Sequence, residues 1–553
     1  MVKDKRNYNV FFNVHTVSGI VISVGLFVIF LAGAFALFQW EIDNWHHNKA
    51  DRPFKIDIDY DRVLELVEQQ GYEMKGRNLV IRYYKNFDYI KAIARPLTDE
   101  SDSSYTTIDA KNTGLISLHF DPETYEILDK DPVGVISLGR YIYHLHYFRQ
   151  IPIIGKYLAG FVALFFGLAI LSGIIVHWKK IILNFFTFRI KSSIKNLWTD
   201  GHVALGILGL PFQFMYAITG AHVGGMAALA SLPIFIFAFN SDPDKMEKIF
   251  YPLPTVNMEN FPEPSEQTEG PSINDLLYPA LKLLDPTQVR EGDVILFDYG
   301  KKEGRALVRF HSLYGDDTQF TNRSYQLIRL ADGLVLEEST QATFAHDTDY
   351  TIKQLHYARF GGFFVKIVYF IMAIITCYVI LSGVMIWLVA RDKKTYARKA
   401  KFNRNVGAIF VGACMGLYPA IALFFCLVKL FPSSFETTCN VFFLFWLVYT
   451  VYSYIIKSPF KVNKHALLLA GVLGIAIPLI NGLTTGLWLW KSYGLGYSDT
   501  FFVDILWLIM GTITMISALI IKPVEKKNKS KEERKVSYSY QTQNELVDLP
   551  ELK

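Results

Sequence analysis

The sequence predicts a polytopic α-helical membrane protein with about eight spans and two extramembrane α+β domains. Long apolar stretches with few charges recur along the 553 residues, and 51% of all residues are hydrophobic. The net charge of +5 is concentrated in a few loops, so it indicates topology, and no nucleic-acid partner is expected. The four cysteines form no C-x-x-C pair, which excludes a thiolate metal site and a disulfide framework.

Eight apolar segments are long enough to cross a bilayer. The first is much longer than the roughly 7–15 residues of a signal-peptide core, so it is interpreted as an uncleaved span. Lys- and Arg-rich segments precede the first span and follow every second one, which predicts that both termini are cytoplasmic. The predicted spans are 11–39, 153–178, 202–223, 361–390, 406–430, 438–456, 464–489 and 500–521.

Two long polar segments then lie on the external side. In the first, DYDRVLELVEQQG predicts a helix, and NLVIRYYK, YIKAIARPL, YTTIDA and ISLHFDPETYEIL predict strands. In the second, SINDLLYPALKLL predicts a helix, and VILFDY, ALVRFHSL, SYQLIRL and LVLEEST predict strands. The predicted order is a first span (1–40), an external domain (41–150), spans two and three with a cytoplasmic loop (151–240), a second external domain (241–355), span four (356–395), four further spans (396–522) and a cytoplasmic tail (523–553).

An internal repeat links the first four spans. At an offset of 210 residues, Leu145-His146-Tyr147 matches Leu355-His356-Tyr357, and Leu171-Ser172-Gly173 matches Leu381-Ser382-Gly383. At an offset of 187 residues, HTVSGI at 15–20 matches HVALGI at 202–207, and Gly33-Ala34 matches Gly220-Ala221. The first four spans are therefore predicted to form a pseudo-symmetric bundle, whereas the last four spans carry no copy of the repeat.

Six of the 13 histidines lie near the ends of these four spans, at two depths. An ionisable side chain in a membrane needs a partner, and a haem iron takes one imidazole from each of two helices at similar depth. A single histidine at a helix end is more often an interfacial residue, but matched depths favour two stacked b-type haems. The candidates are His15, His177 and His202 at the cytoplasmic level and His146, His222 and His356 at the external level, with His144 beside His146.

The pairing of these histidines stays open in the sequence. The repeat relates His15 to His202 and His146 to His356, whereas His15–His177 and His222–His356 would be asymmetric pairs. A kink at Pro211 would change which way the third span turns its side chains. Glycines in the spans fit close approach of a porphyrin, and ordinary helix packing explains them equally well.

Three sequence blocks resemble the PepSY-associated transmembrane helix family of bacterial inner-membrane proteins. They are VHTVSGIVISVGLFVIFLAGAF, the YHLHY…LSGIIVHWKK block and its second copy, and the resemblance covers roughly residues 8–395. It implies periplasmic PepSY-like domains and the activity of an iron-regulated, di-haem ferric-siderophore reductase. By resemblance, His15, His146, His202 and His356 fall on the family's recurrent histidines, whereas His177 and His222 are added from depth and spacing. The four C-terminal spans depart from the shorter reductases.

The expected activity is electron transfer from the cytoplasmic level to the external level and then to a ferric siderophore. The expected electron donor is a membrane quinol or a cytoplasmic reductase, because no G-x-G-x-x-G follows a strand and no Walker sequence is present. Arg149 and Arg359 follow the two Leu-His-Tyr histidines and are candidates for binding haem propionates, or simple anchors of the helix ends. Candidate aromatic residues for a chelate site, or for an interfacial belt, are Trp40, Trp45, Tyr141, Tyr143, Tyr147 and Tyr357.

Two other functional classes compete with the reductase. A siderophore or iron transporter would be favoured by broken helices at corresponding places in the two halves. A regulatory protein without redox activity is the second, because PepSY-type domains are also associated with the inhibition of peptidases. That class leaves the intramembrane histidines without a role.

Overall fold

A computed structural model describes most of the chain. The predicted strand at 105–110 and the predicted tail at 523–553 lie outside the described residues. The described ranges are 5–51, 58–70, 78–84, 89–94, 116–128, 137–186, 194–226, 272–281, 289–297, 304–312, 325–339, 344–391 and 400–522, with isolated positions at 189, 236–237, 240, 242 and 245.

Helices make up most of the described residues, and the chain is a multi-pass helical membrane protein. Within these residues, seven helices are each long and apolar enough to cross a membrane, namely α1, α5, α11, α12, α13, α14 and α16 as bounded next. The helices are α1 (Lys5–Ala36), α2 (Gln39–His47), α3 (Tyr60–Gln69), α4 (Leu138–His146), α5 (Gly155–His177), α6 (Ile181–Phe185), α7 (Ile194–Leu208), α8 (Leu210–Val223), α9 (Ile273–Leu281), α10 (Phe344–Tyr357), α11 (Gly362–Arg391), α12 (Ala400–Leu430), α13 (Phe435–Ile456), α14 (Pro459–Thr485), α15 (Leu489–Ser492) and α16 (Ser498–Ile520).

The predicted third span is broken into α7 and α8, which are bent by 70° relative to each other. Gly209 separates the two helices, and Pro211 lies in the first turn of α8. Proline has no backbone N–H and cannot continue the hydrogen bonding of a preceding helix, whereas it fits the first turn of a new one. The eight predicted spans are therefore seven single helices and one bent pair.

The other span predictions are confirmed, with differences at the helix ends. α1 begins at Lys5 where the prediction began at 11, and α12 begins at Ala400 where the prediction began at 406. In both cases polar residues extend the helix beyond the apolar run. Hydrophobicity marks the part of a helix that faces lipid, and backbone hydrogen bonding continues past it.

Outside the spans, strands from both polar segments form a single antiparallel sheet. The spatial order is β3-β2-β1-β4-β5-β6-β7. The strands are β1 (Leu79–Tyr84), β2 (Tyr89–Ala94), β3 (Ile116–Phe120), β4 (Val289–Phe297), β5 (Arg305–Ser312), β6 (Tyr325–Arg329) and β7 (Val335–Ser339). Each of these strands was predicted from the sequence.

The sheet differs from the prediction of two separate external domains. The first strand of each segment, β1 and β4, pair antiparallel, with Ile81 opposite Val294. Pairing satisfies backbone groups that two separate sheets would expose at their edges. Buried residues of both segments, including Val63 of α3 and Leu277 of α9, form one apolar core on the sheet.

The C-terminal spans belong to the same membrane core as the first four. Phe35 of α1 stacks on Trp507 of α16 with ring centroids 5.2 Å apart. Phe38, which follows α1, lies 4.7 Å from the ring of Phe502. Phe35 also lies 6.2 Å from the ring of Phe425 on α12, so α12 and α16 pack directly on the first span.

Candidate functional site

The inner pair of histidines brings together two spans. His15 of α1 and His202 of α7 have ring centroids 6.1 Å apart. The Nδ1–H group of His15 donates to the carbonyl of Ala169 on α5 at 2.8 Å, and that of His202 donates to the carbonyl of Val379 on α11 at 2.9 Å. A carbonyl oxygen only accepts, so each Nδ1 carries the ring proton and each Nε2 keeps its lone pair.

The outer pair joins two short helices that precede spans. His146 at the end of α4 and His356 in the last turn of α10 have ring centroids 6.0 Å apart. His146 Nδ1 donates to the carbonyl of Ile29 on α1 at 2.7 Å. His356 Nδ1 donates to the hydroxyl of Thr219 at 3.0 Å, and that hydroxyl donates onward to the carbonyl of Met215. Both outer histidines therefore have the same tautomer as the inner ones.

A glycine of a neighbouring helix lies against each of these four rings. A Cβ atom at Gly33 would lie 2.6 Å from Nδ1 of His146, and one at Gly173 would lie 3.0 Å from Cε1 of His15. The corresponding distances are 3.2 Å from Gly383 to His202 and 3.8 Å from Gly220 to His356. Contact at Gly33 is closer than any side chain allows, so the ring rests on bare helix backbone there.

The spacing of histidine and glycine explains this arrangement. His15 and Gly33 are 18 residues apart, which is about five turns of helix, so both lie on one face of α1. His202 and Gly220 have the same spacing, but they lie on α7 and α8, so the shared-face argument applies to α1 alone. α1 thus supplies a histidine at the inner level and receives a histidine ring at the outer level. The 14 residues from His15 to Ile29 separate the two levels by about 21 Å along the helix.

The remaining two candidates lie beside the pairs. His222 Nε2 lies 2.9 Å from a carboxylate oxygen of Asp349, which also accepts from Lys353. Burial raises the pKa of the Asp349 carboxyl, but the hydrogen bonds from His222 and Lys353 outweigh it, and the net pKa is below the usual range. His177 ends α5 and is half-buried. Of the two open pairings, the structure brings together the repeat-related one.

Each pair has the separation expected of two imidazoles that would hold one metal ion between them, such as a haem iron. With a metal–nitrogen distance of about 2.0 Å and about 1.1 Å from that nitrogen to the ring centre, two imidazoles on one ion have centroids about 6 Å apart. In the described parts of the chain, no group of three or more His, Cys, Asp and Glu side chains is placed to hold a metal ion.

Two cavities of about 490 Å³ and 300 Å³ flank the outer pair, and His146 and His356 line both. Arg359 lines the larger cavity and Arg149 the smaller one, so the two predicted arginines line different cavities. No carboxylate occurs among the described lining residues of either cavity, but the lining residue Lys366 is paired with Glu41 at 2.5 Å. The cationic lining residues are Lys91, Arg140, Arg359 and Lys366 in the larger cavity and Arg149 and Lys156 in the smaller one.

The six predicted aromatic residues divide into two groups. Trp40, Tyr143, Tyr147 and Tyr357 line the larger cavity together with His144. Trp45 and Tyr141 contact the C-terminal spans instead, through a hydrogen bond and ring packing respectively.

Sequence reasoning missed several lining residues of the larger cavity. Tyr84 and Lys91 come from β1 and β2, and the sequence gives no sign that the sheet reaches this cavity. Lys366 had a usable signal, because it is a charged residue inside an apolar span.

Comparison with known proteins identifies the family. The family model of the PepSY-associated TM region matches residues 12–390. The chain belongs to this family. The match contains both histidine pairs and the whole sheet, and it ends before the four C-terminal spans. The chain is also 23% identical over 305 residues to an uncharacterised protein of Pseudomonas aeruginosa, a match that covers 51% of this chain and 70% of that protein.

Proposed function

We propose that this member of the PepSY-associated TM region family is a di-haem b electron-transfer protein that reduces an Fe(III) chelate such as a ferric siderophore. The observation that carries the proposal is the presence of two imidazole pairs, each with centroids about 6 Å apart and with every Nδ1 fixed by a hydrogen bond. Hydrogen bonding of the distal nitrogen fixes ring orientation and raises ligand basicity, as is typical of metal-binding histidines.

The contacts around the histidines support a repeat relation between the two halves. Ala169 and Val379, which accept from the inner histidines, are 210 residues apart, as are His146 and His356. Supporting residues thus follow the same offset as the proposed ligands. The two halves would be repeats about a pseudo-two-fold axis that passes between β1 and β4, each with its own PepSY-like portion of the sheet.

The chain's own residues determine what each haem can do. A bound haem supplies one-electron exchange between Fe(III) and Fe(II). The hydrogen bonds to Ala169 and Val379 hold the inner imidazoles within the spans. The hydrogen bonds to Ile29 and Thr219 hold the outer imidazoles beside the cavities. The two levels together provide a route for electrons across the bilayer, from a quinol or a cytoplasmic reductase to the face that carries the sheet.

The lining of the larger cavity supports an anionic occupant near the outer pair. Arg359 and Arg149 are suited to haem propionates, because guanidinium groups bind carboxylates in a bidentate manner. Lys366 is buried and paired with Glu41, so the chelate would contact the other cations and the aromatic residues beneath the sheet. Siderophore oxygen donors are hard ligands that prefer Fe(III), so reduction to Fe(II) releases the iron. This face would be periplasmic, and both termini cytoplasmic, in a bacterial inner membrane.

The broken third span is weak support for a transporter, because only one of the two halves contains such a break. Transporters break helices at corresponding places in both repeats. The counterpart of the α7–α8 pair is α1, which is continuous from Lys5 to Ala36. A regulatory protein without redox activity would not need four oriented imidazoles. The reductase accounts for more of the observed contacts than either alternative.

The test is haem quantitation on the purified full chain by pyridine haemochrome. We expect about two b haems per chain, one in the His146→Ala variant, one in the His202→Ala variant and none in the double variant. His465→Ala is the matched control, because His465 bonds to Tyr452 away from both pairs, and it should keep two haems. Anaerobic addition of a ferric chelate should reoxidise the reduced protein. Absence of a Soret band after expression with ample haem would refute the proposal.

A further inference from the structure

The four C-terminal spans, which lie beyond the family match, bind α2 through buried polar groups. Asn44 Nδ2 donates to Asp499 at 2.7 Å, and Trp45 Nε1 donates to Asp504 at 2.8 Å. Asp504 also accepts from Asn481 of α14 at 2.9 Å and is 0% exposed. A buried carboxylate in an apolar region is costly unless it is paired and hydrogen-bonded. These contacts therefore indicate a specific junction between α2 and the C-terminal spans.

Lys429 of α12 completes the junction at the end of α2. Its ammonium group, in a side chain 6% exposed, donates to the carbonyl of Trp45 at 2.5 Å and to the side chain of Asn48 at 2.6 Å. The last carbonyls of a helix lack partners within the helix, and the negative end of the helix dipole favours a cation. Lys429 thus fixes the C-terminal end of α2.

α2 in turn holds the first turn of α4. Asp43 Oδ1 accepts from the backbone N–H groups of Gly139 at 2.7 Å and Arg140 at 3.3 Å. A Cβ atom at Gly139 would lie 2.2 Å from the carbonyl oxygen of Gln39, so the two helices touch through backbone. Seven residues later α4 ends at His146.

α4 also touches the C-terminal spans directly. The ring of Tyr141 lies 5.5 Å from Phe424 of α12 and 6.0 Å from Phe435 of α13. The other outer histidine is anchored differently, since Thr219 and the His222–Asp349 contact hold α10 to α8.

We infer that the four C-terminal spans are a positioning unit for one histidine of the outer pair. They fix α2, α2 caps α4, and α4 places His146 opposite His356. Lys429, Asp504 and Asp499 are positioning residues in this scheme. The inference rests on the proposed function only in treating His146 as a haem ligand.

The first test is amide hydrogen exchange of the full chain, a measurement that does not require bound haem. Lys429→Met removes the bonds to α2 and keeps an unbranched side chain. We expect amide exchange in residues 137–147 to become about tenfold faster or more. Without the buried hydrogen bonds from Lys429, α2 should loosen, and Asp43 of α2 would then cap α4 less well. Lys491→Met, at an exposed lysine of the short helix α15 between α14 and α16, should leave exchange unchanged. Unchanged exchange in 137–147, or an equal rise in 344–357, would overturn the inference.

A milder variant covers the case in which Lys429→Met does not accumulate. Trp45→Phe keeps the aromatic packing and removes only the bond to Asp504. The same pattern is expected, with a smaller rise in exchange.

The second test is a redox titration of the haem-loaded protein. In Trp45→Phe, we expect only one of the two midpoint potentials to move, namely the one that disappears in His146→Ala. Movement of both potentials equally, or of neither, contradicts the inference. A chain that binds no haem but shows the exchange pattern would refute the proposed function and support the placement of α4 by the C-terminal spans.

Discussion

The inner and outer histidine pairs have the same centroid separation but are held by different kinds of structure. Both inner histidines lie within spans, and both donate to backbone carbonyls of neighbouring spans. The outer histidines lie on short helices beside two cavities, and one of them is held by the hydroxyl of Thr219. His202 Nδ1 also lies 3.1 Å from the hydroxyl of Ser382, but each inner histidine has a backbone acceptor. In the outer pair His146 has a backbone acceptor, whereas the acceptor of His356 is a side-chain hydroxyl.

This difference suits different tasks in the proposed electron route. A backbone carbonyl cannot be removed by substitution, so we expect the hydrogen bonds of His15 to Ala169 and of His202 to Val379 to survive side-chain changes at those positions. The outer pair lies where a substrate must approach, and its supporting groups can be tuned without breaking a span. Substitutions of supporting residues should therefore affect the outer haem more than the inner one.

The largest expected effect follows from the closest glycine contact. Gly33→Ala would place a Cβ atom 2.6 Å from His146, so we expect loss of the outer haem and about one haem per chain. In a helix interior, alanine otherwise favours folding by about 1 kcal/mol over glycine, so general destabilisation is not the expected cause. Pyridine haemochrome quantitation measures the outcome.

The control for this prediction is the inner pair. Gly383→Ala would place its Cβ atom 3.2 Å from His202, a contact that a shift of a few tenths of an ångström relieves. This variant should keep both haems. If Gly33→Ala retained two haems with an unchanged spectrum, the position of His146 would not depend on that glycine.

The second prediction concerns Asp43, which caps the helix that carries His146. Burial raises the pKa of the Asp43 carboxyl to about 7. The hydrogen bonds from the first turn of α4 act in the opposite direction and are outweighed. The unfolded chain releases this proton near pH 4 and the folded chain near pH 7, so stability should fall as pH rises from about 4 to 7 and then stay level. Across this range the titration of Asp43 should lower the free energy of unfolding by on the order of 4 kcal/mol.

Thermal unfolding in detergent across this pH range tests the prediction. Asp43→Asn should flatten the profile, because the amide does not titrate. Glu126→Gln, at an exposed carboxylate away from both pairs, is the control and should leave the profile unchanged. A slope that survives in Asp43→Asn would assign the pH dependence to other groups.

The third prediction concerns the hydroxyl of Thr219, which holds one histidine of the outer pair. Thr219→Val keeps the shape of the side chain but removes the acceptor for His356 Nδ1, so we expect the outer haem to bind 10–100-fold more weakly. Thr219→Ser should restore binding, because serine retains the hydroxyl. Haem titration of the apoprotein measures both, and an equal loss in Thr219→Ser would indicate that the methyl group, rather than the hydrogen bond, matters.

Much of the fold was predictable because it follows from local patterns. Apolar length gave the spans, alternation gave the strands, and the repeat offsets gave the two histidine pairs as one of two possibilities. The pairing of β1 with β4 was not predictable, because alternation specifies a strand's faces and not its neighbours. The contact of His222 with Asp349 joins residues 127 positions apart, and no spacing rule relates them. Depth along a span places a histidine at a level, but side-chain direction decides its partner.

The smallest expected effect is electrostatic and again confined to the outer level. Arg359 is exposed at the mouth of the larger cavity, and a cation near an iron favours its reduced state. Arg359→Gln should lower the outer midpoint potential by on the order of 40 mV, equivalent to about 1 kcal/mol for one electron. Solvent screens an exposed charge, so the shift should shrink further as salt is added. Arg62→Gln on α3 should leave both potentials unchanged, and a shift of the inner potential in Arg359→Gln would show that this arginine does not act on the outer pair alone.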